Sequence, residues 1–172
     1  RTSEDAVAET IENNVRKLII NESPVDPAYY EKMSKLLDAL IEQRRQGVVS
    51  YKEYLAKIAT LTKDATMPGG KPGYPTSLDT AAKQALYNNL WQDEKLALRV
   101  NHAILDSLQD GWRDNTMKTK RVRQAIRLVL MAAIPANLGW KAQQGDAPHS
   151  QPLDLELETA RILTLAKHQN GY

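Results

Sequence analysis

Apolar residues recur at spacings of three and four along most of the chain, the period of a helix with one buried face. Val7, Ile11, Val15, Leu18 and Ile19 mark the first stripe. Ser3 is its expected N-cap, and Glu4 and Asp5 follow in the first turn, where the helix dipole favours acids. The stripe ends near Asn21, ahead of Pro24. Asp26 and Pro27 restart the chain, Asp suiting the N-cap and Pro the first helical position, where no N–H is missed. Tyr30, Met33, Leu37, Leu40, Ile41 and Arg44 predict a second helix to about Gln46, with Gly47 as its stop. Of the adjacent Tyr29 and Tyr30, one ring is expected inside and one outside. Ser50 and Glu53 are spaced as a capping box, and Val49 can staple onto Tyr54. Leu55, Ile58 and Leu61 then carry a third helix to about Lys63.

The periodicity stops at Asp64. Residues 64–76 hold three Pro and three Gly and read as a linker loop. Thr80 can cap a helix whose stripe is Ala82, Ala85, Leu86, Leu90 and Trp91. Asp93 recaps the chain, and Leu96, Val100, Ala103, Ile104 and Leu108 continue it. Asp110 and Gly111 end that element. Asn115 or Thr116 caps the next helix, which runs to about Ala133 before Pro135. Residues 134–152 read as loop, and a last helix spans about Leu153 to Lys167. No segment alternates with a period of two, and no internal repeat is visible. The expected fold is all-α, a multi-helix bundle of about six helices. Residues 1–63 form one sub-bundle and 77–172 a second, joined by the Pro/Gly-rich loop 64–76.

Composition adds limits to this picture. A chain of 172 residues with 42% hydrophobic and 26% charged residues has an ordinary globular balance. Phe and Cys are both absent. The core therefore rests on aliphatic residues, Tyr and Trp, and thiolate metal sites, disulfides and cysteine nucleophiles are excluded. The lack of Cys suits a reducing compartment, and a cytoplasmic location is expected. No apolar run approaches the length of a membrane span. The opening Arg1-Thr2-Ser3 shows neither Met nor a signal-peptide pattern and reads as part of a longer chain.

Charge singles out one region. From Gly111 to Gly145 there are seven Lys or Arg against one acid, a local +6 in a chain of net +2. Residues 1–63, by contrast, carry ten bases and ten acids. On a helical ruler, Val122, Ala125, Ile126, Val129 and Ala133 face the core, while Lys120, Arg123 and Arg127 share another side about 130° away. Arg121 flanks that row, and Lys118 and Arg113 support it at its start. No acid stands three or four residues away to neutralise the row. It suits sequence-neutral contact with a phosphate backbone, a solvated face, or an acidic protein partner. Trp112 either seals the Gly111 turn against the bundle or docks a partner, and Trp140, alone in its loop, is a second docking candidate. Trp91, in a helical stripe, is expected in the core.

Candidate chemistry is sparse. Lys71 follows two glycines, but Pro72 stands where a phosphate-cradling loop needs Ser or Thr. His102, His149 and His168 lie far apart without a second ligand at metal spacing. Asp93-Glu94-Lys95 is too isolated for a nuclease set, and Asp38 with Glu42 reads as a solvated edge beside Arg45. No catalytic residue, metal site or cofactor is assigned.

Several linked blocks resemble one family. They are residues 9–19 (ETIENNVRKLI), 29–38 (YYEKMSKLLD), 40–45 (LIEQRR), 54–58 (YLAKI), Tyr74-Pro75, 77–80 (SLDT), Ala85-Leu86-Tyr87, Asp110-Gly111-Trp112-Arg113 and 122–127 (VRQAIR). Together they resemble the helical C-terminal region of the type I restriction enzyme R subunit, in register over roughly residues 9–130. The loop 134–152 matches no pattern of that family. The resemblance implies a parent chain with nuclease and helicase-like ATPase domains, using ATP and Mg for cleavage and translocation. For the present residues it implies a non-catalytic assembly module, docking the motor onto the methyltransferase (M) subunits and lying near duplex DNA. Its expected contacts are Lys120, Arg123 and Arg127, supported by Arg121, Lys118 and Arg113. The alternative is a purely protein–protein module.

Overall fold

A computed structural model describes residues 2–66, 73–134 and 154–172. Among these residues there are helices and turns and no strand, as the all-α expectation requires. The chain divides into two compact units, Arg1–Tyr74 and Pro75–Tyr172. The division falls inside the Pro/Gly-rich stretch.

The first unit packs three helices, α1 (Ser3–Glu22), α2 (Pro27–Arg45) and α3 (Tyr51–Thr66). Their ends follow local chemistry. Thr2, one residue before the expected Ser3, caps α1 in a reciprocal box with Asp5. The Asp26 side chain accepts from the Tyr29 N–H, and Pro27 fills the first position of α2. Gly47 ends α2 with φ at 70°, a left-handed conformation that costs a side chain energy and glycine little. Ser50 and Glu53 form the expected box at α3, which runs three residues past Lys63.

Two expectations for this unit need correction. Val7 is half exposed, and Ala8 and Glu12 lie fully inside, with Ile11 partly buried against the core. A carboxylate is tolerated there because Arg44 and Tyr54 reach it. Both Tyr29 and Tyr30 are buried, not one of the two. Their rings meet edge to face at 5.2 Å, and their hydroxyls donate to the Asp64 and Ala65 carbonyls at 2.7 and 2.9 Å. Two phenols thus satisfy carbonyls in the last turn of α3, where no intrahelical partner exists.

The second unit contains α4 (Ala81–Asn89), α5 (Glu94–Ser107), a short 3-10 turn (Trp112–Asp114), α6 (Thr116–Ala133) and α7 (Leu155–Lys167). Thr80, Asp93, Asn115 and Asp154 cap the four helices in turn. Helix α6 lies against α5, α7 and the 3-10 turn, and α4 against α5 and α7. Leu86, Leu90, Val100, Ile104, Val122, Ile126, Leu130, Ile162 and Leu165 fill the core between them.

Trp91 is not in a helical stripe. It lies in the break between α4 and α5, where Trp91 and Gln92 take φ of 59° and 56°. Non-glycine residues rarely adopt this region. Arg161 of α7 holds the break from above, its guanidinium 5.9 Å from the Trp91 ring centre and its Nη2 donating to the Asn89 carbonyl at 2.7 Å. Trp140, His149 and the rest of 135–153 lie outside the described residues, as do 67–72.

Candidate functional site

The basic helix α6 starts from a fixed turn. Gly111 takes φ of 69°, which only glycine adopts freely, and this brings Trp112 inward. Trp112 is 3% exposed, as the turn-sealing reading expects. Its indole Nε1 finds no hydrogen-bond partner among the described residues. The Arg113 guanidinium covers the ring at 5.1 Å.

Arg113 is exposed but makes three hydrogen bonds within the unit. Its Nε donates to the Lys167 carbonyl at 2.9 Å, Nη1 to Tyr172 at 3.0 Å and Nη2 to Gln169 at 2.5 Å. A cation thus meets the carbonyl end of α7, the favourable end of its dipole. Arg113 was expected among the DNA contacts. The structure gives it an architectural role, tying the start of α6 to the end of α7. Tyr172 donates to Asn101 Oδ1, and burial pushes its phenol pKa up. A cleft of about 310 Å³ opens at this corner, lined in part by Trp112, Arg113 and Tyr172.

The remaining cations sort by position. The Lys118 amine donates to the Asp110 carbonyl at 2.6 Å and closes the turn. Arg123 Nη2 and Arg127 Nε donate to the two oxygens of Glu156 at 2.5 and 2.7 Å. Glu156 sits in the first turn of α7. It is half exposed, and the hydrogen bonds from Arg127 and then Arg123 hold its pKa below the ordinary carboxylate value. Lys120 and Arg121 are exposed and have no side-chain partner among the described residues.

The expected row is therefore geometrically present but partly occupied. The acid that occupies it comes from a different helix, which spacing along α6 alone does not show. The buried face also differs from the ruler's. Leu130 is fully buried with Val122, Ile126 and Ala133, whereas Ala125 and Val129 are only half buried. That turns the inward direction by about 40° toward Arg123 and Arg127. Both arginines become half buried at the α6–α7 seam.

The same rotation exposes a face that charge alone did not reveal. Met117, Leu128 and Met131 are 73%, 50% and 46% exposed. With Gln124 they fall within an arc of about 60° at the outward centre of α6. Lys120 flanks this arc on one side and Arg121 on the other. Large exposed apolar residues scattered singly are ordinary; here Leu128 and Met131 are adjacent, and Met117 lies on the same side about 16 Å away along the axis. Among the described residues no group of three His, Asp or Glu is placed to hold a metal ion. His102 pairs with Asp106 and His168 with the Thr164 carbonyl, both at the surface. No helix among the described residues is long and apolar enough to cross a membrane. The chain matches no family model, no curated protein and no solved structure.

Proposed function

We propose that the chain is a non-catalytic assembly module of a cytoplasmic type I restriction-like complex, docking a motor subunit onto a methyltransferase partner. The observation that carries this reading is the outward face of α6. Met117, Leu128 and Met131 are exposed on it, Leu128 and Met131 within a turn of each other and Met117 about 16 Å away along the axis, with Lys120 and Arg121 to either side between them. A protein interface commonly sets exposed apolar side chains of this kind inside a polar rim. The matching partner surface is an apolar groove with acidic edges. ATP and Mg belong to the parent chain's other domains in this reading.

The test is co-purification with the methyltransferase subunit. Met117→Glu combined with Leu128→Glu is expected to abolish the complex. Lys120→Glu with Arg121→Glu is expected to slow its formation, because rim charges act mainly on encounter. Unchanged recovery with both pairs would refute the reading.

A second reading, contact with duplex DNA, is favoured by one specific observation. Lys120 and Arg121 are cations whose side chains have no partner among the described residues. Two phosphate contacts give only weak, strongly salt-sensitive binding.

A further inference from the structure

We infer that the α6–α7 seam is a latent phosphate-backbone site, in which Glu156 occupies the place of a phosphate. The inference rests on the duplex-DNA reading above and not on the protein-docking one. Arg123 and Arg127 stand one helical turn apart and each donates to a different oxygen of the Glu156 carboxylate. Two guanidinium groups converging on one oxyanion are the donor set that a phosphodiester takes. The carboxylate supplies a fixed geometry for them, at 2.5 and 2.7 Å. Lys120 lies on the same flank of α6 and continues the row outward.

Exposure makes the carboxylate replaceable. The side chains of Arg123, Arg127 and Glu156 are 39%, 31% and 53% exposed, so water and ligand reach the bridge. Ion pairs at such sites are weak and exchange freely. A released Glu156 remains in the first turn of α7, where the helix dipole still favours its charge. On its flank of α6 the seam thus has an occupied form, with Lys120 exposed, and an open form, with Lys120, Arg123 and Arg127. The glutamate sets how much polyanion the module accepts. It keeps the arginines ordered, and it penalises weak anions that cannot displace it.

The alternative structural role is a plain strut between α6 and α7, and the two differ in salt dependence. The probe is a mixed-sequence duplex DNA of about two helical turns, measured by fluorescence anisotropy on the whole chain over a salt series. Glu156→Gln removes the charge and keeps the shape. It is expected to bind several-fold more tightly, with the slope of log K against log salt steeper by about 0.9, the value for one added phosphate. Arg123→Gln with Arg127→Gln is expected to change the parent little and to cancel the gain in the Glu156→Gln background.

Three results would overturn the inference. The first is parental affinity and slope in Glu156→Gln while Lys120→Glu with Arg121→Glu still loses DNA. That leaves the DNA reading intact and makes Glu156 a strut. The second is no binding by any variant, which removes the DNA reading as well. The third is a gain that survives loss of both arginines, or one seen with an acidic peptide and not with DNA. Unchanged circular dichroism and melting of Glu156→Gln accompany the expected result.

Discussion

Glu12 and Glu156 are both gripped by arginine from a neighbouring helix, and they do opposite things. Glu12 is 5% exposed and receives Arg44 Nε at 2.8 Å, Arg44 Nη2 at 3.4 Å and the Tyr54 hydroxyl at 3.1 Å. Arg44 also reaches Asp5 at 3.0 Å and lies over the Tyr54 ring at 5.6 Å. Four side chains from α1, α2 and α3 meet there. Glu156 receives two arginines from one helix, at the surface. The chemistry is the same, and burial separates the outcomes. A buried charge that loses its partners has no water to turn to, whereas an exposed one does. The first cluster locks a fold, and the second is available for exchange.

The sharpest way to break this comparison is Arg44→Ala. It leaves Glu12 buried without its guanidinium and is expected to cost roughly 3–5 kcal/mol in the stability of the first unit, read by chemical denaturation. Replacing Arg44 and Glu12 together by Met and Leu is expected to recover most of that loss, because no charge is then stranded. A loss below about 1 kcal/mol in the single variant would place Arg44 with the exchangeable surface pairs.

Trp112→Ala comes next. It empties a buried site beside α6 and is expected to cost about 3 kcal/mol in the second unit, at the low end for a tryptophan because no hydrogen bond goes with it. Denaturation of the second unit measures it. If partner binding falls while stability holds, Trp112 is a contact after all and the assignment of Arg113 as its cover is wrong.

The helices themselves were legible because capping residues and the three-to-four spacing act locally. Asp26-Pro27, Ser50 to Glu53, Asp93 and Gly47 each sit where the chain turns into or out of a helix. What stayed hidden depends on the other helices. Glu12 has no apolar signature, and only Arg44 and Tyr54, 32 and 42 residues away, explain its burial. Leu130 joins the inward face of α6 while Ala125 and Val129 recede from it, and this turns Arg123 and Arg127 from an open row into a seam facing Glu156. Spacing within one helix cannot show an acid supplied by another. The exposed Met117, Leu128 and Met131 do carry a local signal, a helical spacing that puts them on one side of α6 between its bases.

The buried cluster has a smaller counterpart in alkaline solution. Burial is the main cause that pushes the Tyr30 phenol from 10.0 up to about 12, and Glu22 and Asp26 add to it. Burial and then Glu12 push Tyr54 up as well. A raised folded pKa contributes stability that is full below the unfolded value. It is lost as pH rises through the folded one, here between about 10 and about 12. Tyr30→Phe is expected to move the alkaline unfolding midpoint of the first unit upward. An unmoved midpoint would show that Tyr30 ionises without opening the core.

The smallest effect is expected at Glu156, and its smallness is the point. Its lowered pKa gives a stabilisation that is present above the ordinary carboxylate range and is lost as pH falls through the depressed value. Because the group is at the surface, water replaces the arginines when it is lost. Glu156→Gln is therefore expected to leave the melting midpoint at neutral pH within error and to flatten the acid limb of the second unit only slightly. The readout is a pair of melting series from neutral to acid pH, parent against variant. A clear neutral-pH destabilisation would move Glu156 to the side of Glu12, a structural lock, and a lock of that kind does not yield to a passing phosphate.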